Sequence, residues 1–123
     1  MRKYSFEKLE VWREAISLTK DIYIASNNFP KEEMFGLTSQ IRRAVVSISS
    51  NIAEGSSRTS LKDQARFTEI AYGSLMEVLN QLILANELKY VDEEKYISLR
   101  EKIEDLSTKV NSLKISQKRR QNG

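Results

Sequence analysis

Apolar residues return at steps of three and four along most of the chain, and four stretches keep that helical period. In the first, about Leu9 to Ser26, Val11, Ala15, Leu18, Ile22 and Ala25 form one stripe, with Trp12, Ile16 and Tyr23 beside it. Asn27, Asn28, Phe29 and Pro30 end it, because the residue before a proline is sterically driven out of the helical region. A single turn is expected at Pro30 to Met34. The second helix runs from about Leu37 to Glu54, with Leu37, Ile41, Ala44 or Val45, Ile48 and Ile52 on its apolar stripe. Gly55 stands where a left-handed helix cap belongs, and Ser56 to Thr59 read as the following loop.

The third helix takes Ser60 as its N-cap, with Asp63 three residues on as the partner of a capping-box-like pair, and extends to about Lys89. Between Leu75 and Leu84 it is apolar on more than one face, since Leu75, Met76, Val78, Leu79, Leu82, Ile83 and Leu84 cannot share one stripe. Such a helix needs cover on more than one side. The fourth helix begins near Asp92 and repeats Tyr96, Leu99, Ile103, Leu106, Val110 and Leu113, a narrow seam of coiled-coil type. Short connections between long consecutive helices force antiparallel neighbours, so the pattern predicts an all-α, up-down-up-down antiparallel four-helix bundle over residues 1–115. Residues 116–123 are expected to form a basic, disordered C-terminal tail.

Composition narrows this picture. The chain has 123 residues, suited to one domain, and only one proline and four glycines to interrupt helices. Without cysteine there is no disulfide framework, thiolate site or cysteine nucleophile, which fits a reducing compartment and gives a cytoplasmic expectation. Charges at Arg2, Lys3, Glu7, Lys8 and Glu10 leave no apolar signal core at the start. No stretch reaches the ~20 apolar residues of a membrane span. The net charge is +3, but Lys109, Lys114, Lys118, Arg119 and Arg120 follow Asp105 with no acid among them, and the 15 basic and 17 acidic residues elsewhere leave −2. The basic excess is therefore a property of the tail, which reads either as solvated or as an arm for nucleic acid.

Candidate chemistry is sparse. The absence of histidine removes the commonest general base and most imidazole metal sites, including the Glu-x-x-His pattern of di-iron bundles. The acidic pairs Glu32–Glu33, Glu93–Glu94 and Glu104–Asp105 are sequence neighbours, which point in different directions on a helix. The glycines are isolated, so there is no phosphate-cradling loop. No enzyme activity, cofactor, metal or small-molecule substrate is expected, a carboxylate-dependent enzyme being the weakest reading. A polar row on helix two, Gln40, Arg43, Ser47, Asn51 and Glu54, lies beside the apolar stripe and reads as a structural hydrogen-bond network or a partner surface. Arg42, Arg43 and Arg58, with Lys114, Lys118, Arg119 and Arg120, are the candidate phosphate contacts. Trp12, Tyr23, Phe67 and Tyr72 read as core or interface aromatics. The surplus apolar surface of helix three assigns Leu75, Met76, Leu79 and Ile83 to an interface between copies of the chain.

Several elements carry a resemblance: Phe6-Glu7-Lys8-Leu9-Glu10-Val11-Trp12; Phe29-Pro30 with Glu33, Gly36 and Leu37; and Gln40-Ile41-Arg42-Arg43-Ala44 with Ser47-Ile48. They continue with Asn51-Ile52-Ala53-Glu54-Gly55 and with Ala71-Tyr72-Gly73-Ser74 followed by Glu77. In this order they resemble the four-helix-bundle family encoded within intervening sequences of the large-subunit (23S) ribosomal RNA gene. The resemblance implies a bacterial, non-secreted bundle assembling into ring-like homo-oligomers, with pentamers as the expected form. A related branch, the accessory variability determinant of diversity-generating retroelements, is similar in fold and binds a reverse transcriptase and nucleic acid. The function expected is a non-enzymatic homo-oligomer that binds RNA or an RNA-handling protein, with a protein-interaction scaffold as the alternative.

Overall fold

The structure is a computed structural model and describes residues 1–122. Four helices account for most of them: α1 (Glu10–Ser26), α2 (Leu37–Ser56), α3 (Leu61–Glu87) and α4 (Glu93–Asn122). Short 3₁₀ turns at Ser5–Lys8 and Lys31–Glu33 precede α1 and α2, and no strand occurs among the described residues. Each helix packs against its neighbours in chain order, α1 also meets α4, and the diagonal pairs make no backbone contact. This is the predicted all-α antiparallel four-helix bundle. One end, the loop end, carries the α1–α2 and α3–α4 connections; the other, the terminal end, carries the α2–α3 connection, the chain start and the last turns of α4.

The expected stripes form the core. Leu18, Ile22, Ile41, Ile48, Leu75, Leu82, Leu99, Ile103 and Leu106 are essentially sealed from water. Burying each such side chain contributes about 1.5–3 kcal/mol before the cost of ordering the chain. The α4 seam runs as predicted, with Leu99, Ile103, Leu106 and Val110 buried and Tyr96 and Leu113 packed at its edges.

The start of α3 follows its capping signal, and Asp92 caps the start of α4. The Asp63 amide donates to Ser60 Oγ at 3.1 Å, and the Lys95 amide donates to Asp92 Oδ1 at 2.8 Å. At the end of α2 the expectation is corrected: Gly55 is not a left-handed cap but a buried residue inside α2. A Cβ there would stand 2.9 Å from Phe67 Cβ, so glycine is required by the close approach of α2 to α3. The left-handed residue is Lys89, with φ of 62°, just past α3. Its amide donates to Asn86 O at 3.0 Å and the Tyr90 amide to Ala85 O at 2.9 Å, the paired bonds of a Schellman motif.

The tail expectation is also corrected. Residues 116–122 continue α4 rather than leaving the bundle, because the seam gains a further member: Gln117 is buried and accepts a hydrogen bond from Thr68 at 2.7 Å. Lys118 adds an ion pair to Glu69 of α3 at 2.5 Å. Residue 123 lies outside the described residues.

Candidate functional site

The two ends present different chemistry. At the loop end, Phe35 is 97% exposed and Met34 52% exposed, although both are large and apolar. With Tyr23, Thr38, Arg42, Arg43 and Val46 they line an open groove of about 580 Å³ across α1 and α2. Ile24, Leu84, Leu88 and Ile97 add further exposed apolar surface toward this end. Acids gather around it too: Glu32 and Glu33 in the turn, Glu87 at the end of α3, and Asp92, Glu93 and Glu94 at the start of α4. The last three are favourably placed at a helix N-terminus, where the backbone amides carry partial positive charge.

Glu33 holds the loop end together. One carboxylate oxygen accepts from the Leu37 amide at 3.1 Å, capping α2, and the other accepts from the Tyr90 hydroxyl at 3.0 Å. The Tyr90 hydroxyl is held above its ordinary pKa, first by the hydrogen bond to Glu33 and then by burial. Its ring lies against Phe29 with centroids 5.7 Å apart. Both connections are thereby tied to one carboxylate.

The terminal end is cationic. Arg58, Lys62, Arg66, Lys118, Arg119 and Arg120 are exposed there, against Glu54, Asp63 and Glu69. Some of these cations are already engaged. Arg58 pairs with Glu54 at 3.2 Å and stacks 4.7 Å from the Phe67 ring centroid, Lys118 pairs with Glu69, and Lys114 lies 5.0 Å from the Tyr72 ring centroid. The Lys118 contact lowers the pKa of Glu69. Lys109, reaching Glu10 at 2.6 Å and Glu14 at 2.7 Å, fastens α4 to α1 and lowers the pKa of Glu10. Arg119 and Arg120 have no carboxylate partner among the described residues.

The structure thus separates the candidate phosphate contacts into two groups. Arg58, Lys114, Lys118, Arg119 and Arg120 belong to the terminal end, and Arg42 and Arg43 to α2 near the loop end. Arg42 is a fastener: its Nε donates to Ser26 Oγ at 2.8 Å and its Nη2 to Asn27 Oδ1 at 3.0 Å and Tyr23 O at 3.3 Å. Its guanidinium sits 4.8 Å from the Tyr23 ring centroid, so Tyr23 is an exposed stacking partner rather than a core aromatic. Arg43 is exposed with no carboxylate partner among the described residues.

The polar row on α2 is shorter than its spacing predicts. Ser47 Oγ meets Ser74 Oγ of α3 at 2.9 Å, and Asn51 Nδ2 donates to Ser47 O at 2.8 Å and to Ser47 Oγ at 3.0 Å. Gln40 and Arg43 instead face water, and Glu54 turns to Arg58. One heptad along α3 from Ser74, the buried Gln81 leaves its Oε1 without a hydrogen-bond partner.

The interface assignment on α3 needs correction at one residue. Leu75 is fully inside the core of its own chain, as are Val78 and Leu82, because with Ala71 and Ala85 they form the single stripe of α3 that faces the bundle interior. Met76, Leu79 and Ile83 are half-buried at the margin. Phe35 and Gln117 are the residues the sequence reading missed. Gln117 had a signal, being four residues beyond Leu113 on the seam; a single phenylalanine in a turn had none.

No helix among the described residues is long and apolar enough to cross a membrane. Among the same residues no cluster of acidic side chains is placed to hold a metal ion. A model of the 23S rRNA-intervening sequence proteins matches residues 7–112. The chain belongs to that family. Among solved structures it is similar to a protein of unknown function from the S23 ribosomal protein family of Bacteroides thetaiotaomicron VPI-5482. The likeness has a TM-score of 0.78 at 23% identity, covering 85% of this chain and 94% of the other, and it shows the fold. No curated protein matches the chain. The family match ends at residue 112, before the last turns of α4 that carry Gln117, Arg119 and Arg120.

Proposed function

We propose that this member of the 23S rRNA-intervening sequence proteins is a non-catalytic homo-oligomer that binds RNA, with copies joined through the loop-end half and the terminal end left to the nucleic acid. The observation that carries the reading is that Phe35 and Met34, exposed at the loop end, stand at the opposite end of the bundle from Arg119 and Arg120, which have no carboxylate partner among the described residues. Water-exposed apolar residues as large as Phe35 and Met34 are costly to leave uncovered, and burial against another copy removes that cost. Met76, Leu79 and Ile83 extend the same proposed contact along α3. Identical chains satisfy such a contact equally in a closed cyclic assembly, and a pentameric ring is the form proposed. Cations without internal partners are the groups that neutralise phosphates and release counterions.

Light scattering on the protein with and without RNA tests both halves. The expected results are a mass several times that of the chain, dissociation by Phe35→Glu, and RNA affinity that falls steeply with salt. A wild-type monomer at high micromolar concentration would sink the assembly half, and no RNA binding at low salt the other. A protein-interaction scaffold is the second reading, favoured by the apolar groove around Phe35 with Arg42 and Arg43 on its wall; it is the one retained if assembly is seen without RNA binding.

A further inference from the structure

The segment before α1 and helices α2, α3 and α4 line a cleft of about 230 Å³ at the terminal end, close to the unpaired cations. Leu9, Ile52 and Leu113 give it an apolar floor, and Arg120 stands among its lining residues. Thr68 and Gln117 supply its polar wall.

Gln117 is only 8% exposed. Thr68 has one hydroxyl proton and two acceptors within reach, Gln64 O at 3.0 Å and Gln117 Oε1 at 2.7 Å. If the proton goes to Gln117, the amide nitrogen has no partner among the described residues. If it goes to Gln64, the Gln117 amide turns to donate to Thr68 and its oxygen is left over. Either way one end of the amide has no protein partner among the described residues and stays free to pair with water or a ligand at the cleft. An amide that can present a donor or an acceptor above an apolar floor matches the edge and faces of a planar heterocycle. Arg119 and Arg120, on the adjoining surface with Ser112 and Ser116, lie where charge flanking that heterocycle would fall.

We propose that this cleft receives one unpaired nucleobase of single-stranded RNA while the neighbouring phosphates contact Arg119 and Arg120. The proposal rests on the RNA reading above and adds strandedness to it. Bases in a duplex keep their edges paired and their faces stacked, so a cleft of this size selects bases that are free to splay out. Of the lining residues, Leu113, Gln117 and Arg120 lie beyond the span matched by the family, whereas Leu9, Ile52, Gln64 and Thr68 lie within it.

Fluorescence polarisation tests it with labelled RNA of about 12 nucleotides, offered as an unstructured single strand, as a duplex, and as a strand of abasic units with the same phosphates. The wild-type protein should prefer the unstructured strand to both others by about tenfold, the worth of one base contact. Gln117→Leu, which makes the seam apolar, and Leu113→Trp, which fills the cleft, should each lose that preference. Neither should change the salt slope, whereas Arg119→Gln with Arg120→Gln should lower it. Equal wild-type affinity for all three RNAs overturns the cleft while leaving RNA binding in place; no binding to any of them at low salt removes the RNA reading itself. Circular dichroism checks both cleft variants, and if either fails to fold, the wild-type comparison with the abasic strand decides.

Discussion

The loop end and the terminal end of this bundle are closed by different forces. At the loop end Glu33 caps α2 and receives Tyr90, Phe29 packs on Tyr90, and Arg42 binds the last carbonyls and side chains of α1. These contacts tie connection to connection over short distances. At the terminal end α4 is held by Thr68 on Gln117 and by ion pairs from Lys118 and Lys109, while α2 and α3 approach at Gly55. Exposed ion pairs contribute little each and are screened by salt. The difference teaches that the apolar, acidic end is built as a fixed platform, and that the cationic end keeps its last helical turns on weaker, condition-dependent contacts.

Substitutions and pH probe that contrast. Gly55→Val should have the largest effect, about 2–3 kcal/mol of destabilisation read by urea unfolding, since the added atoms meet Phe67 Cβ. An unchanged midpoint would mean that the α2–α3 approach is not tight. Glu33→Ala should cost about 1–2 kcal/mol by removing a helix cap and the acceptor of Tyr90 together. Hydrogen exchange should then rise at the loop end alone; equal loosening at both ends would break the comparison. Thr68→Val should cost about 1 kcal/mol, with faster exchange confined to the last turns of α4.

The smallest effect is expected from acid. The Lys118 contact depresses the pKa of Glu69, so its contribution is present above the unfolded carboxylate value of 4.5 and is lost as pH falls through the lowered folded value. The end of α4 should loosen below pH 4.5, as Glu69 takes up a proton and Lys118 loses its partner. Amide exchange compared between pH 4.5 and lower values reads this directly, and unchanged exchange in the last turns of α4 would contradict it.

Much of the fold is legible in the chain because helix periodicity reports burial directly: the stripe of α1 and the seam from Tyr96 to Leu113 appear where the apolar pattern puts them. The misreadings have specific causes. Gly55 follows an apolar stripe as a cap would, but its reason is proximity to Phe67, a residue of the next helix. Lys89 takes the left-handed conformation without the glycine that would announce it. Leu75 belongs to the core because it lies on the inward stripe Ala71, Leu75, Val78, Leu82 and Ala85, at steps of four and three. The candidate site was legible in its cations and silent in its cleft, since Gln117 hides a buried position behind a polar side chain.

The pairing of Lys109 with Glu10 and Glu14, and of Lys102 with Asp21, closes the bundle between the first helix made and the last. During synthesis α1, α2 and α3 are therefore present before the helix that completes their core. At ordinary elongation rates the thirty residues of α4 take roughly 2–6 s to add. Over that interval Leu18, Ile22, Leu75 and Leu82 line an open trough that only Leu99, Ile103 and Leu106 can fill. A chain that stops before α4 leaves that trough open to water, an apolar surface prone to association.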